Sequence, residues 1–299
     1  MADILITHAA RFSLDAVNSL NAAGHTVYPY PGPAVGANAF IDVLWVRLER
    51  PDLDSFPNLK VLATNCTGTD HLPLAECERR GIRVVSLQDC REQMDSVHGT
   101  AEMTIALMLA LLRNIPAAVE STKRGEWDRW QFVGLELRGK RVGIVGYGRV
   151  GFQAMNLSVN MGTSCRIHDA DSDRCVYSLE DVLRWADIVT VHASLNETSR
   201  NLFNADRFGQ MKPGAFFINT ARGAIVDESA LLAALESGHL AGAALDVVCD
   251  EPNVNPKLLE FARANPGRLI LTPHIGGCTL ESLHRTEEIL AAKLVEVLK

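Results

Sequence analysis

Short, nearly unbroken apolar runs recur along the chain, and amphipathic stretches separate them. The runs fall at residues 4–7, 43–46, 61–64 and 83–86, then at 142–145, 165–168, 188–192, 215–219, 243–247 and 269–272. Residues 13–23 and 73–80 show the wider apolar spacing of helices. Continuous rather than alternating apolar strands are buried on both faces, so the pattern predicts an α/β protein with parallel sheets covered by helices. Ten such strands are too many for one small sheet, which argues for two domains. The longest helical stretch, residues 97–122, is mostly apolar and carries Pro116 as a kink or break. A helix of that character is buried, either in its own core or against a second subunit. Residues 125–140, which include WDRW, read as a surface excursion. Boundaries are expected near Val97 and after Gly277, giving one discontinuous domain (1–96 with 278–299) and one continuous domain (97–277).

Composition narrows the class. A length of 299 residues suits two domains, and 47% hydrophobic with 22% charged residues excludes wholesale disorder. Lys plus Arg is 29 against 36 for Asp plus Glu, and a net charge of −7 speaks against nucleic acid as a partner. The longest apolar stretch, residues 105–112, is far short of the about 20 residues that span a membrane. The N-terminus MADILIT lacks the basic region of a secretion signal. Seven scattered cysteines without a CxxC pair read as reduced thiols, hence a cytoplasmic location, and no metal-ligand cluster is expected.

The run at 142–145 leads directly into Gly146-Tyr147-Gly148-Arg149-Val150-Gly151, a GxGxxG between strand and helix. Gly146 permits a tight turn, Gly148 lets a pyrophosphate approach the backbone, and Gly151 lets the helix pack close to the strand. The helix N-terminus then faces the phosphates with free N–H groups and the positive end of its dipole. Asp169 lies about 20 residues further on, at the end of the next strand, where an acid accepts hydrogen bonds from the adenine ribose. It repels a 2′-phosphate, so NAD is expected rather than NADP. Arg174 is near enough in sequence to leave that preference open.

Three polar residues follow later strands: Arg222 in INTARG, Glu251 in LDVVCDEP and His274 in LTPHIGG. In an open parallel sheet, ligands collect beyond the carboxyl ends of the strands, which is where these residues stand. Arg presents a planar fork matched to a carboxylate and a neighbouring carbonyl oxygen. His transfers a proton to or from the oxygen of an alcohol, and Glu orients the ring and favours its protonated form. With a nicotinamide beside them, the three would interconvert a 2-oxo acid and a 2-hydroxy acid.

The long runs LRGKRVGIVGYGRVG, ADIVTVHASLNETSRNLFNADRFGQMKPGAFFINTARGAIVDESALLAALESGHLAGAALDVVCDEP and LILTPHIGG resemble the D-isomer-specific 2-hydroxyacid dehydrogenases. That resemblance covers nearly the whole chain. It implies a Rossmann NAD-binding domain inserted into a smaller flavodoxin-like substrate domain, an active site between them and a homodimer. It makes Arg222 the substrate anchor, Glu251 the His partner and His274 the acid/base. It adds Thr104, His192, Thr198, Thr220, Ala221, Asp246, Gly276 and Gly277 to the cofactor contacts Gly146 through Gly151 and Asp169, with Asp246 on the nicotinamide amide. Thr67, Gly68 and Thr69 match a loop whose N–H groups hold the substrate carboxylate. The family also contains NAD-sensing corepressors and enzymes acting on formate or phosphite, which stand as alternatives.

Some segments depart from the family pattern. SLQDCREQMDSVHG lacks the usual Asn-x-Pro-like stretch, Ala193-Ser194 stands where a Pro is frequent, and the end at Lys299 leaves no room for a regulatory domain. Which 2-hydroxy acid is used stays open. Arg47, Arg91 and Arg129 are the candidates for a second anionic group.

Overall fold

The computed structural model describes residues 1–7, 12–29, 40–48 and 50–299. Two compact units are present: Met1–Val97 with Cys278–Lys299, and His98–Gly277. In the first, β1 (Asp3–Ile6), α1 (Leu14–Ala22), β2 (Thr26–Pro29), β3 (Val43–Val46), β4 (Val61–Thr64), α2 (Leu74–Arg80) and β5 (Arg83–Val85) build a sheet of order β2-β1-β3-β4-β5. Every pairing is parallel. β3 and β4 are buried at every position, which is why they read as plain apolar runs. The C-terminal helix Leu280–Val297 packs Leu290, Ala291 and Leu294 into the same core as Ile4, Trp45 and Ala63. Its Glu287 is fully buried, accepts from Ser13 N at 2.7 Å and pairs with Arg47.

The second unit runs α3 (Gly99–Leu112), α4 (Ile115–Lys123), β6 (Arg141–Val145), α5 (Arg149–Asn160), β7 (Ser164–His168), α6 (Leu179–Trp185), β8 (Ile188–Val191), α7 (Ala205–Gln210), β9 (Ala215–Asn219), α8 (Glu228–Glu236), β10 (Leu240–Leu245), α9 (Pro256–Ala264) and β11 (Leu269–Leu271). Its sheet has the order β11-β10-β9-β8-β6-β7, again parallel throughout. The chain leaves β6 for β7 on one side and returns to β8 on the other. The order therefore reverses at β6, the place where such sheets hold a ligand. One apolar cluster, around Phe203, Phe208 and Phe217, covers one face. A second, around Met108, Leu111, Ile144 and Ile218, covers the other.

Three details differ from the sequence pattern. The pattern does not anticipate β2, a four-residue edge strand, TVYP, without an apolar run. β10 starts at Leu240 and ends at Leu245, earlier than the run at 243–247 suggests. The long helix breaks at Asn114, whose φ of 53° is left-handed, and Pro116 sits harmlessly in the first turn of α4. Most apolar side chains of α3 (Ile105, Leu107, Met108, Leu111 and Leu112) are core, whereas Met103 and Leu109 are only partly buried. Exposed apolar surface lies just beyond it, at Ile115, Val119, Trp127, Trp130, Val133 and Leu135. Among the described residues, no single helix is long and apolar enough to cross a membrane.

At the amino ends of the second sheet, Asp187 ties three strands together. Its carboxylate accepts from Arg141 N at 2.9 Å and pairs with the Arg141 and Lys212 side chains. Burial alone raises this carboxyl, but the Lys212 and Arg141 donors outweigh it and hold the group down at about 2. The native state therefore binds the proton less readily than the unfolded chain. The stabilisation is complete above the ordinary value of 3.8 and disappears as pH falls toward 2. Asp187→Asn is expected to cost about 1–2 kcal/mol at pH 7, allowing for partial exposure, with the gap to wild type closing below about pH 3 in urea titrations. A gap independent of pH would contradict this.

Candidate active site

The glycine loop follows β6 at the point where the sheet order reverses. Gly146 has a φ of 94°, and a Cβ there would meet Ala193 N at 2.5 Å. A Cβ on Gly151 would collide with Gly146 O, so that glycine is needed to seat α5 on β6. Gly148 differs from both. It has ordinary extended backbone, and a Cβ there would meet nothing within 4 Å. Open space over Gly148, at the N-terminus of the 12-residue α5, is the cradle a pyrophosphate needs. Tyr147, Arg149 and Val150 complete the turn and the start of that helix, and Tyr147 N donates to the Asp169 carboxylate. Asp169 also accepts from Asp171 N at 2.8 Å, so loop and acid are held as one piece. Arg174 is paired with Asp171 at 3.3 Å, which gives its guanidinium a partner other than a ribose phosphate.

His192 follows β8 beside the same loop. Its Nε2 lies 3.1 Å from Thr190 Oγ1, and its buried Nδ1 has no hydrogen-bond partner among the described residues. Burial pushes this imidazole down to about 3, so it is neutral at physiological pH. Thr104 on α3 and Thr220 after β9 share a buried hydrogen bond of 3.0 Å. Thr198 stands apart in an exposed turn, with both its N and its Oγ1 donating to Asn196 Oδ1.

The three reacting candidates stand beyond β9, β10 and β11. Asn219, fully buried, shapes the turn before Arg222: its Oδ1 accepts from Ala221 N and its Nδ2 donates to Arg222 O. One Arg222 nitrogen, Nη1, donates to Ala221 O at 2.8 Å. Asp246 is only 1% exposed, and its carboxylate accepts from Thr272 Oγ1 (2.6 Å), Ile275 N (2.9 Å) and Gly276 N (2.7 Å). These bonds wrap the turn at 272–276 around His274, whose φ of 53° lies in the left-handed region. Gly276 is packed so that a Cβ would approach Asp246 Oδ2 at 2.9 Å, whereas Gly277 is exposed. His274 Nδ1 lies 2.7 Å from Glu251 Oε2. A carboxylate only accepts, so Nδ1 carries the proton and Nε2 is left for chemistry. Glu251 Oε1 accepts from Val248 N at 3.0 Å.

Thr67, Gly68 and Thr69 belong to the other unit, in the turn after β4, where Thr69 O accepts from Leu72 N. Arg47 is at the end of β3, and its carbonyl accepts from Thr64 Oγ1 and Cys66 Sγ. Its guanidinium pairs with buried Glu287. Arg91 and Arg129 are exposed. Sequence reasoning missed Asn219 and Thr272. The only signal for either was a polar residue at the last turn of an apolar strand.

A parallel sheet with a glycine loop at its point of reversal, an acid hydrogen-bonded to that loop and an imidazole–carboxylate pair has the features of a dinucleotide-dependent oxidoreductase. Residues 105–276 match the family profile described as "D-isomer specific 2-hydroxyacid dehydrogenase, NAD binding domain". A glyoxylate reductase of Thermofilum pendens is 35% identical over 276 residues, 88% of this chain and 78% of that protein. A D-3-phosphoglycerate dehydrogenase of Haemophilus influenzae is 33% identical over 298 residues, 94% and 71% of the two chains. The crystal structure of a D-lactate dehydrogenase from Aquifex aeolicus, complexed with NAD and lactic acid, aligns with a TM-score of 0.76 at 25% identity, covering 99% and 94%. The chain belongs to the D-isomer-specific 2-hydroxyacid dehydrogenases. It is an NAD-dependent oxidoreductase that transfers hydride between nicotinamide and C2 of a small 2-hydroxy or 2-oxo acid.

The two glycines separate folding from binding. Gly148→Ala is expected to leave the melting temperature within about 1–2 °C of wild type while weakening NAD at least about tenfold by calorimetry, because the methyl group enters only the ligand's space. Gly151→Ala is expected to lower stability itself, by about 1–3 kcal/mol. Equal NAD affinity in Gly148→Ala would place the cofactor elsewhere.

Proposed function

We propose that Arg222, Glu251 and His274 carry the reaction, and that the His274–Glu251 hydrogen bond of 2.7 Å is the observation on which this rests. Bound NADH supplies the hydride for reduction at C2. The imidazolium form of His274 donates its Nε2 proton to the oxygen as charge develops on it and is left as the neutral Nδ1–H form, which Glu251 holds in orientation by accepting from Nδ1. Arg222 anchors the carboxylate with its planar fork. Backbone N–H groups of Thr67, Gly68 and Thr69 are assigned to the same carboxylate. The glycine loop and Asp169 hold the dinucleotide, with His192, Thr104 and Thr220 lining the same strand ends. Pairing of Arg174 with Asp171 supports preference for NAD over NADP. The commitment of Arg47 to Glu287 leaves Arg91 and Arg129 as the candidates for a second anionic group on the substrate.

The apolar surface on α4 and the segment after it supports a homodimer. Trp127 is 89% exposed and Trp130 is 78% exposed. A monomeric chain rarely leaves such side chains in water beside further apolar neighbours. A sedimenting species with one chain's mass at micromolar concentration would remove this assignment. The seven cysteines, none of them in a disulfide, support a reducing compartment, the cytoplasm.

His274→Ala is expected to lower kcat by about 10²–10⁴-fold with NADH affinity retained. Arg222→Ala is expected to raise KM for the 2-oxo acid as well as lower kcat, because it binds the ground state too. Steady-state kinetics on a panel of 2-oxo acids checks both. Near-normal turnover in His274→Ala would refute the assignment.

A further inference from the structure

Glu228 opens α8 and is only 9% exposed, yet no step proposed above uses it. Its two carboxylate oxygens reach both ends of the loop between β10 and α9. Oε1 accepts from Cys249 N at 2.7 Å, and Oε2 accepts from Asn255 Nδ2 at 3.1 Å. Glu251 lies between those two tethers. The residue next to the first tether, Val248, donates its N–H to Glu251 Oε1, while Glu251 Oε2 accepts from His274 Nδ1. The same strip is pinned from below: a Cβ on Gly223 would collide with the Val248 carbonyl, and Cys249 Sγ contacts Val226 O at 3.7 Å. Asp250, between Cys249 and Glu251, has a left-handed φ of 57°, a conformation that this surrounding frame sustains.

From this geometry we infer that Glu228 is a positioning residue for the hydride-transfer reaction, fixing the loop that aims Glu251 at His274. The inference rests on the functional reading given above. The position requires a carboxylate. Two donors converge on it, and Asn255 cannot turn its amide round, because its Oδ1 caps α9 by accepting from Lys257 N at 3.1 Å. A glutamine offers one acceptor and sets its own N–H₂ against that of Asn255. The first turn of α8 also favours the negative charge, which eases its burial.

The test combines kinetics with a readout that needs no turnover. Long-range 1H–15N correlation of histidine-labelled protein, with His274 assigned through His274→Ala, reports which ring nitrogen carries the proton. Wild type is expected to show the Nδ1–H form. Glu228→Gln is expected to shift His274 to a mixture of tautomers and to lower kcat about tenfold, with KM and NADH affinity within about twofold. Glu228→Gln combined with Asn255→Asp reverses the polarity of the clamp. The amide introduced on α8 then donates to the introduced carboxylate, whose second oxygen still caps α9 at Lys257. This pair is expected to recover the wild-type tautomer and most of the lost kcat. Wild-type spectra and kcat in Glu228→Gln, or a double variant no better than the single one, would overturn the inference. Should Glu228→Gln not fold, Asn255→Ala removes one tether, and an unchanged His274 signal and kcat there would overturn it equally. If wild type reduces no 2-oxo acid, the functional reading fails, while the tautomer comparison still decides whether Glu228 positions the pair.

Discussion

The hydrogen bond between His274 Nδ1 and Glu251 Oε2 is the contact on which the proposed chemistry of this chain depends. An imidazole free to rotate would present either nitrogen, protonated or not, to whatever lay beside it. Bound to a carboxylate, it has one tautomer and one orientation. Neither partner is held by regular secondary structure. Both sit in turns beyond β10 and β11, and both turns contain a non-glycine residue in the left-handed region, His274 itself and Asp250. Such conformations persist only where the surroundings over-determine them.

The over-determination comes from buried polar side chains rather than from apolar packing. Asn219 shapes the turn of Arg222, Asp246 gathers the turn of His274 with three bonds, and Glu228 tethers the loop of Glu251. Each is buried and hydrogen-bonded, as a polar group in a dry interior must be. The parallel sheet makes the arrangement possible. With all six strands pointing one way, the ends of β6, β8, β9, β10 and β11 share one edge, so the glycine loop, Arg222, Glu251 and His274 stand at the same end of one compact body. The apolar clusters on the two faces supply stability to that body. The polar residues at its edge supply geometry.

Much of this was legible in the sequence, for physical reasons that also mark where reading stops. Central parallel strands are buried on both faces, so β3, β4, β6, β8 and β9 announce themselves as apolar runs. β2 does not, because an edge strand of four residues needs no such run. The three glycines were readable because each answers a separate steric demand, and those demands reappear as a collision at Gly151, a close approach at Gly146 and open space at Gly148. Partnerships across long stretches of chain were not readable. Arg47 reads in sequence as a candidate for a second anionic group, whereas its partner in the fold is Glu287, 240 positions away. The hydrogen bonds by which Glu228 holds Cys249 and Asn255, and Asp246 holds the His274 turn, likewise join residues more than 20 positions apart. In each case the meaning of the side chain lies in a fold-dependent neighbour that no local pattern encodes.

The central claim is that hydride and proton reach one 2-oxo acid through this single constellation. Incubation of the wild-type chain with [4-2H]NADH, deuterated on either face, and a panel of small 2-oxo acids tests it directly by NMR and chiral separation of the product. The account predicts a D-2-hydroxy acid carrying deuterium at C2 from one face of the nicotinamide only. An L product, or no deuterium at C2 with any acid of the panel, would contradict it.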